Sequence, residues 1–106
     1  MDDKEFQTQA DEAIDDLYQR LVKAVETHDF EVDFNSGALA IEFEDPPAKF
    51  VVSPNSPVKQ IWVSAHSKSF KFDWEPARGV FVLGGQTLAE MMADAVTKQM
   101  GESVTL

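Results

Sequence analysis

Apolar residues near the start of the chain recur every three or four positions, which is the spacing of one helix face. This apolar face consists of Phe6, Ala10, Ala13, Ile14, Leu17, Leu21 and Val25. The other face carries four acidic residues, Asp11, Glu12, Asp15 and Asp16. The pattern predicts an amphipathic helix that ends near Thr27.

From residue 29 the pattern changes to strict alternation, the period of a strand with one buried face. Residues 29–34 alternate three acidic with three large apolar side chains, and alternation resumes over 39–43 after the turn-forming Asn-Ser-Gly of 35–37. These two segments predict a hairpin. Four further strands are predicted over 49–53, 59–66, 70–74 and 79–83, with proline-containing breaks before and after the first of these and Gly84-Gly85 after the last.

Helical spacing returns at the end of the chain. Thr87 and Glu90 have the separation of a capping box, and Gly101 stands where a helix-ending glycine is expected. The order helix, about six antiparallel strands, helix predicts an α+β fold. We expect a two-layer α–β sandwich over residues 1–106 as a single domain, with both terminal helices on one face of the sheet. The other face is then open to solvent.

Charge is distributed unevenly along this chain of 106 residues, which has a net charge of −10. Residues 1–45 hold 14 acidic and three basic residues, and residues 46–106 hold five acidic and six basic residues. One acidic surface is therefore expected, and its partner should be cationic, either a metal ion or a basic protein patch. The same charge argues against binding to nucleic acid or to an anionic membrane.

The composition excludes several other classes of site and location. With no cysteine, the chain has no thiolate zinc site, no cysteine-held iron–sulfur cluster and no catalytic cysteine. No apolar run approaches the roughly 20 residues that span a bilayer, and the first residues lack the basic and apolar regions of a signal peptide. We therefore expect a cytoplasmic protein.

The acidic side chains offer carboxylate oxygens, which suit hard cations such as Mg²⁺, Ca²⁺, Mn²⁺ and Fe³⁺. Asp29, Glu31 and Asp33 should share one strand face and bind ions weakly, with water completing the coordination. The alternative is a solvated acidic face that only keeps the protein soluble. His28, beside Asp29, could join such a metal site or be an ordinary surface histidine.

The predicted fourth strand should place Gln60, Trp62, Ser64 and His66 together on the open face of the sheet. A large aromatic side chain on a polar, exposed face is unexpected for packing and common at binding surfaces. Trp62 is therefore a candidate for partner binding. The alternative is that its ring lies flat over neighbouring side chains and shields the sheet.

The strand Lys59-Gln60-Ile61-Trp62-Val63-Ser64, preceded by Pro57, resembles the signature strand of the frataxin family. The acidic first helix, the acidic strand that follows and the Asn-Ser-Gly turn also match, as do Phe72-Asp73-Trp74 and the closing residues 99–104. The opening segment resembles the bacterial members. The likeness covers nearly the whole chain in order, although residues 18–23 lack the acids that the family usually has there.

The resemblance implies a two-helix α–β sandwich and an iron-binding protein of iron–sulfur cluster assembly. Such a protein regulates the cysteine desulfurase and works with the scaffold machinery. It implies weak binding of Fe²⁺ and Fe³⁺, replaceable by other divalent or trivalent cations, at an acidic ridge. The ridge residues are Asp11, Glu12, Asp15, Asp16, Asp29, Glu31 and Asp33. Partner binding is expected at Trp62, Gln60, Glu31 and Asp33.

Two other functions stay open. One is a ferroxidase that oligomerises with iron and stores it, although the chain lacks the Glu-x-x-His motif of di-iron bundles. The other is an acidic interaction module with no metal role. The leading expectation is a protein that is not an enzyme, beyond weak ferroxidase activity, and that is monomeric without iron.

Overall fold

The computed structural model describes residues 1–106. The elements in chain order are α1 (Asp3–Val25), β1 (Glu31–Asn35), β2 (Ala38–Glu44), β3 (Pro47–Asn55), a short 3₁₀ turn (Ser56–Val58), β4 (Gln60–Ala65), β5 (Lys68–Glu75), β6 (Val80–Leu83), β7 (Gln86–Thr87) and α2 (Leu88–Met100). All strands pair antiparallel with their neighbours in the order β1 to β7.

The sheet has seven strands, where the pattern predicted about six. The additional strand, β7, has two residues and follows the Gly84-Gly85 turn, with Val82 opposite Thr87. Two residues are too few to show an alternating pattern, so only the fold reveals this strand. The predicted two-layer α–β sandwich is confirmed.

The core lies between the sheet and the two helices, because one face of each element is buried in a single cluster. Side chains with no exposed surface include Phe6, Ile14, Phe50, Phe72 and Met92, which come from both helices and from the sheet. We call the sheet face that meets the helices the inner face and the other the open face. Neither helix combines the length and the apolar composition needed to cross a membrane.

Helix α1 begins at an Asp2 cap, whose side chain accepts the Glu5 backbone N–H at 2.8 Å. It ends at Val25, two residues before the predicted end. The N–H of Thr27 bonds to the carbonyl of Ala24 at 3.1 Å, so the last turn tightens from α-helical to three-residue spacing. The chain then reaches β1 only at Glu31, which leaves Asp29 outside the strand.

Strand β3 is longer than the predicted 49–53, because its two flanking prolines do not interrupt it. Pro47 is its first residue, and Pro54 lies one residue before its end. A strand tolerates the missing N–H of proline best at such terminal positions. The longer β3 places Ser53 opposite Trp62 and Asn55 opposite Gln60.

Helix α2 has the predicted capping box. Thr87 Oγ1 accepts the Glu90 N–H at 3.2 Å, and the Glu90 carboxylate accepts the Thr87 N–H at 2.9 Å. Hydrogen bonding of the Glu90 carboxyl, first with the Thr87 backbone N–H and then with the Thr87 side chain, lowers the pKa of Glu90 from its ordinary value. Gly101 ends the helix with a positive φ of 71°, as predicted.

His66 does not lie on the open face, which corrects the prediction from alternation. Strand β4 ends at Ala65, and His66 has a φ of 51°, so its side chain turns toward the helices. Its ring packs edge-on against Phe50, with 4.9 Å between centroids, and its Nε2 lies 3.2 Å from Gln99 Oε1. Gln99 Nε2 donates to the Pro46 carbonyl at 2.8 Å, so its Oε1 is free to accept from His66.

Candidate functional site

The four residues of α1 that were predicted for the acidic ridge are all exposed, but they point to two flanks of the helix. Glu12 and Asp16 line a groove between α1, the β5–β6 turn and the start of α2. Asp11 and Asp15 precede Tyr18 by two turns and one turn, on the flank where the Tyr18 ring meets Phe34 of β1 at 5.4 Å.

Glu31 and Asp33 lie on the open face of β1, and both are exposed. Asp29 was predicted to share this face, but it lies in the turn before the strand. Glu31 stands opposite Glu42 of β2, and Lys49 of β3 approaches Glu42 at 3.8 Å. Like charges opposite each other are unfavourable in a sheet, and this nearby ammonium group offsets part of the repulsion.

Most of these carboxylates have no basic partner. We call the seven acidic residues of α1, β1 and the turn between them that were predicted to bind iron the acidic surface: Asp11, Glu12, Asp15, Asp16, Asp29, Glu31 and Asp33. Asp16 accepts Arg20 Nε at 2.8 Å, and the other six make no salt bridge. No group of three histidine or acidic side chains is arranged to hold a metal ion. The geometry offers single or paired exposed carboxylates, which hard cations bind together with water.

Residues 18–23 of α1 contain no acidic side chain. Tyr18 packs on β1, and Leu21 is fully buried in the core. Arg20 neutralises Asp16 one turn earlier. The unpaired charge of α1 is therefore concentrated in its first half.

Trp62 occupies the open face of β4, as predicted, and it is half-buried. Its Nε1–H donates to Gln60 Oε1 at 2.9 Å, and Gln60 Nε2 donates to Asp73 Oδ1 at 2.9 Å. Lys71 Nζ lies 4.9 Å from the ring centroid. The ring is held by its neighbours and still has exposed surface, so partner binding at Trp62 stays a prediction.

Lys71 and Asp73 are members of this site that the sequence reasoning missed. Both lie on β5, where Lys71 is opposite Trp62 and Asp73 is opposite Gln60. The alternation of β5 did place them on a polar face. Only the register of the β4–β5 hairpin shows which residue meets Trp62, and it depends on a turn with positive φ at His66 and Ser67.

Glu31, Asp33 and Trp62 share one continuous sheet face. Three strand spacings, or roughly 14 Å, separate the backbones of β1 and β4. The residues between them on this face include Ala38 and Ala40 of β2 and Val51 and Ser53 of β3. Their short side chains leave a shallow surface with carboxylates at one side and an indole ring at the other.

The histidines have structural partners. His28 Nδ1 lies 2.5 Å from Glu102 Oε2, and the His28 side chain is only 16% exposed. This pair links the turn after α1 to the segment after α2. His66 contacts Phe50 and Gln99 on the inner side.

A protein-family model described as the frataxin-like domain matches residues 1–102. The chain therefore belongs to the frataxin-like family. Its relatives within the family include bacterial proteins named CyaY.

The chain is 32% identical to the iron–sulfur cluster assembly protein CyaY of Tolumonas auensis, over 100% of this chain and 99% of that protein. It is 33% identical to the CyaY of Azotobacter vinelandii, over 88% of this chain and 87% of that protein. Among solved structures, a frataxin of Psychromonas ingrahamii from the CyaY family superposes with a TM-score of 0.76 at 26% identity. That match covers 99% of this chain and 97% of the other.

Proposed function

We propose that this protein binds iron weakly and serves iron–sulfur cluster assembly as an iron adaptor and regulator of the cysteine desulfurase. Relatives that match nearly its whole length are named iron–sulfur cluster assembly proteins. The observation that carries the proposal is the acidic surface, where six of seven carboxylates are exposed and make no salt bridge. Unpaired carboxylates keep their full charge available to a metal ion or a basic protein.

The proposed iron sites are the paired carboxylates of the acidic surface. Glu31 with Asp33 on β1 and Asp11 with Asp15 on α1 are spaced for one ion to contact two side chains. Water would fill the remaining positions, so we expect low affinity and substitution by other hard cations. Iron is a cargo in this proposal, and the protein itself performs no catalytic step.

The proposed docking face for the desulfurase and the scaffold machinery combines Glu31 and Asp33 with Gln60 and Trp62. A basic patch on the partner would meet the carboxylates, and an apolar group would cover the indole ring. Charge complementarity sets orientation and association rate, whereas buried aromatic side chains contribute most of the affinity. A cytoplasmic location accords with the bacterial relatives, and a monomer is expected without iron.

The first experiment is an anaerobic titration of Fe²⁺ into ¹⁵N-labelled protein, followed by a titration with diamagnetic Ga³⁺ in place of Fe³⁺. We expect saturable shifts or broadening of the amides at residues 11–16 and 29–33. A Glu31→Lys, Asp33→Lys variant should bind both ions about tenfold more weakly, since two charges of the site are reversed. The same variant should bind the desulfurase more weakly at moderate salt.

The matched control is Glu26→Lys with Asp45→Lys, which makes the same charge change at two exposed residues outside the acidic surface that make no salt bridge. If the affinity for the two ions falls equally in both double variants, binding depends only on net charge, and Glu31 and Asp33 do not form the site. Unchanged desulfurase binding in the β1 variant contradicts the docking face. Binding that is intact and insensitive to metal would instead favour the metal-independent interaction module.

A further inference from the structure

A second cleft lies near the opposite edge of the sheet from β1, between the β4–β5 turn, β5, β7 and α2. Its apolar lining consists of Ala65, Phe70, Met91 and Ala95. Phe70 is half-buried and the other three are buried. The volume is about 290 Å³, at the lower end of the range for ligand pockets, so it suits one or two side chains of a partner.

The charge at this cleft has the opposite sign to that of the chain. Lys68 and Lys98 stand at its rim, where both are exposed and neither makes a salt bridge. Asp94 is the one acidic residue of the lining, and it accepts Gln86 Nε2 at 2.7 Å. Two free ammonium groups therefore face one hydrogen-bonded carboxylate, in a chain of net charge −10. This reversal of sign favours an anionic partner.

One wall of the cleft is held in place by contacts within the fold. The His66 ring lines it and is packed against Phe50, while its Nε2 bonds with Gln99 of α2. Gln99 in turn bonds to the carbonyl of Pro46. A cleft whose wall is already ordered loses little conformational entropy when a partner enters it.

We propose that this basic cleft, defined by Lys68, Lys98 and the apolar lining between them, binds an acidic peptide segment of a partner protein. The segment carries an aliphatic or aromatic side chain next to its carboxylates. The apolar side chain enters the lining, and the carboxylates pair with the two lysines. This surface is separate from the acidic surface, so the protein can hold a cationic partner and an acidic segment at the same time.

The test uses a short fluorescein-labelled peptide with phenylalanine and leucine between glutamates, titrated into the intact protein and read by fluorescence anisotropy. Amide shifts in ¹⁵N-labelled protein locate the site. We expect saturable binding that weakens with salt and shifts at residues 65–70, 86 and 91–98. The Lys68→Glu, Lys98→Glu variant should bind at least about tenfold more weakly.

The matched control is Lys4→Glu with Lys23→Glu, which reverses two exposed lysines of α1 that make no salt bridge. It should retain the wild-type affinity, and a peptide with serines in place of its apolar residues should bind poorly. The proposal is overturned if both double variants lose peptide affinity equally or if the serine peptide binds as tightly as the apolar one. It is also overturned if the amide shifts lie outside the cleft. Sedimentation of the free protein as a dimer that Lys68→Glu, Lys98→Glu dissociates overturns it as well, since the occupant is then a second copy. None of these measurements involves iron or the desulfurase.

Discussion

The two faces of the sheet are built by the same alternating strands, yet their side chains are held by different forces. Ile61 and Trp62 are adjacent in β4: Ile61 is fully buried against the helices, and Trp62 is half-buried on the open face. Packing alone holds the first, whereas hydrogen bonds and a nearby ammonium group hold the second. Inner residues therefore determine stability, and open-face residues are free to serve binding.

The largest effect on stability should come from Phe50→Ala on the inner face. The Phe50 side chain is fully buried and packs on Phe43 and His66, with 4.9 Å between ring centroids in each pair. Its removal leaves a cavity, so the free energy of unfolding should fall by about 3–5 kcal/mol. Urea unfolding followed by circular dichroism measures this. A loss below about 1 kcal/mol would remove the distinction between the two faces.

Trp62→Ala tests the open face. We expect the variant to stay folded, with the free energy of unfolding lowered by about 1 kcal/mol, because the ring is already partly hydrated. Desulfurase binding should fall roughly thirtyfold, the loss typical of an aromatic hot spot. Calorimetric titration measures the affinity, with Ser69→Ala as the open-face control. An unfolded variant would show that the ring is structural.

A pair of glutamine variants compares the polar networks of the two faces. Gln99→Ala removes the bonds to Pro46 and His66 at a site that is 9% exposed, and should destabilise by about 1–3 kcal/mol. Gln60→Ala removes the bonds to Trp62 and Asp73, but water can replace them there. We therefore expect a smaller loss for Gln60→Ala in parallel urea titrations. If both variants lose the same free energy of unfolding, water does not replace the hydrogen bonds of Gln60 on the open face.

The smallest effect on stability should come from Glu90, an exposed residue in the first turn of α2. Folding lowers the pKa of Glu90, so its ionised form stabilises the fold above the unfolded-state pKa. That contribution is lost as the pH falls through the lower folded-state pKa. Glu90→Gln keeps the side-chain acceptor without the charge. The difference in unfolding free energy between wild type and variant should shrink on acidification, and a difference independent of pH would contradict the assignment.

The local elements were largely predictable, because each depends on neighbours close in sequence. The apolar face of α1 as far as Leu21, the Thr87 capping box and the Gly101 helix end were confirmed. Val25 was wrongly assigned to that face, because it is exposed and Ala24 is buried in its place. The predictions were wrong where one or two residues determine the local structure and the periodic pattern does not. His66 turned inward because β4 ends in a turn with two left-handed residues, and β7 was too short to recognise.

The candidate site was predictable in its residue types and less so in its geometry. Trp62 and the acids of β1 lie on the open face as alternation required, and Asp29 does not lie on the strand. Lys71 and Asp73 joined the site only through the hairpin register. The role of the seven carboxylates in binding iron stays a prediction.

By itself the sequence determined the order of elements, their buried faces and the excess of negative charge in the first half of the chain. These follow from periodicity and from covalent neighbours, which need no long-range information. Only the tertiary structure decided which acids of α1 line the groove toward α2, which side chains hold Trp62 and where Lys68 and Lys98 meet an apolar cleft. Those juxtapositions join residues from different elements, and strand register and helix packing determine them.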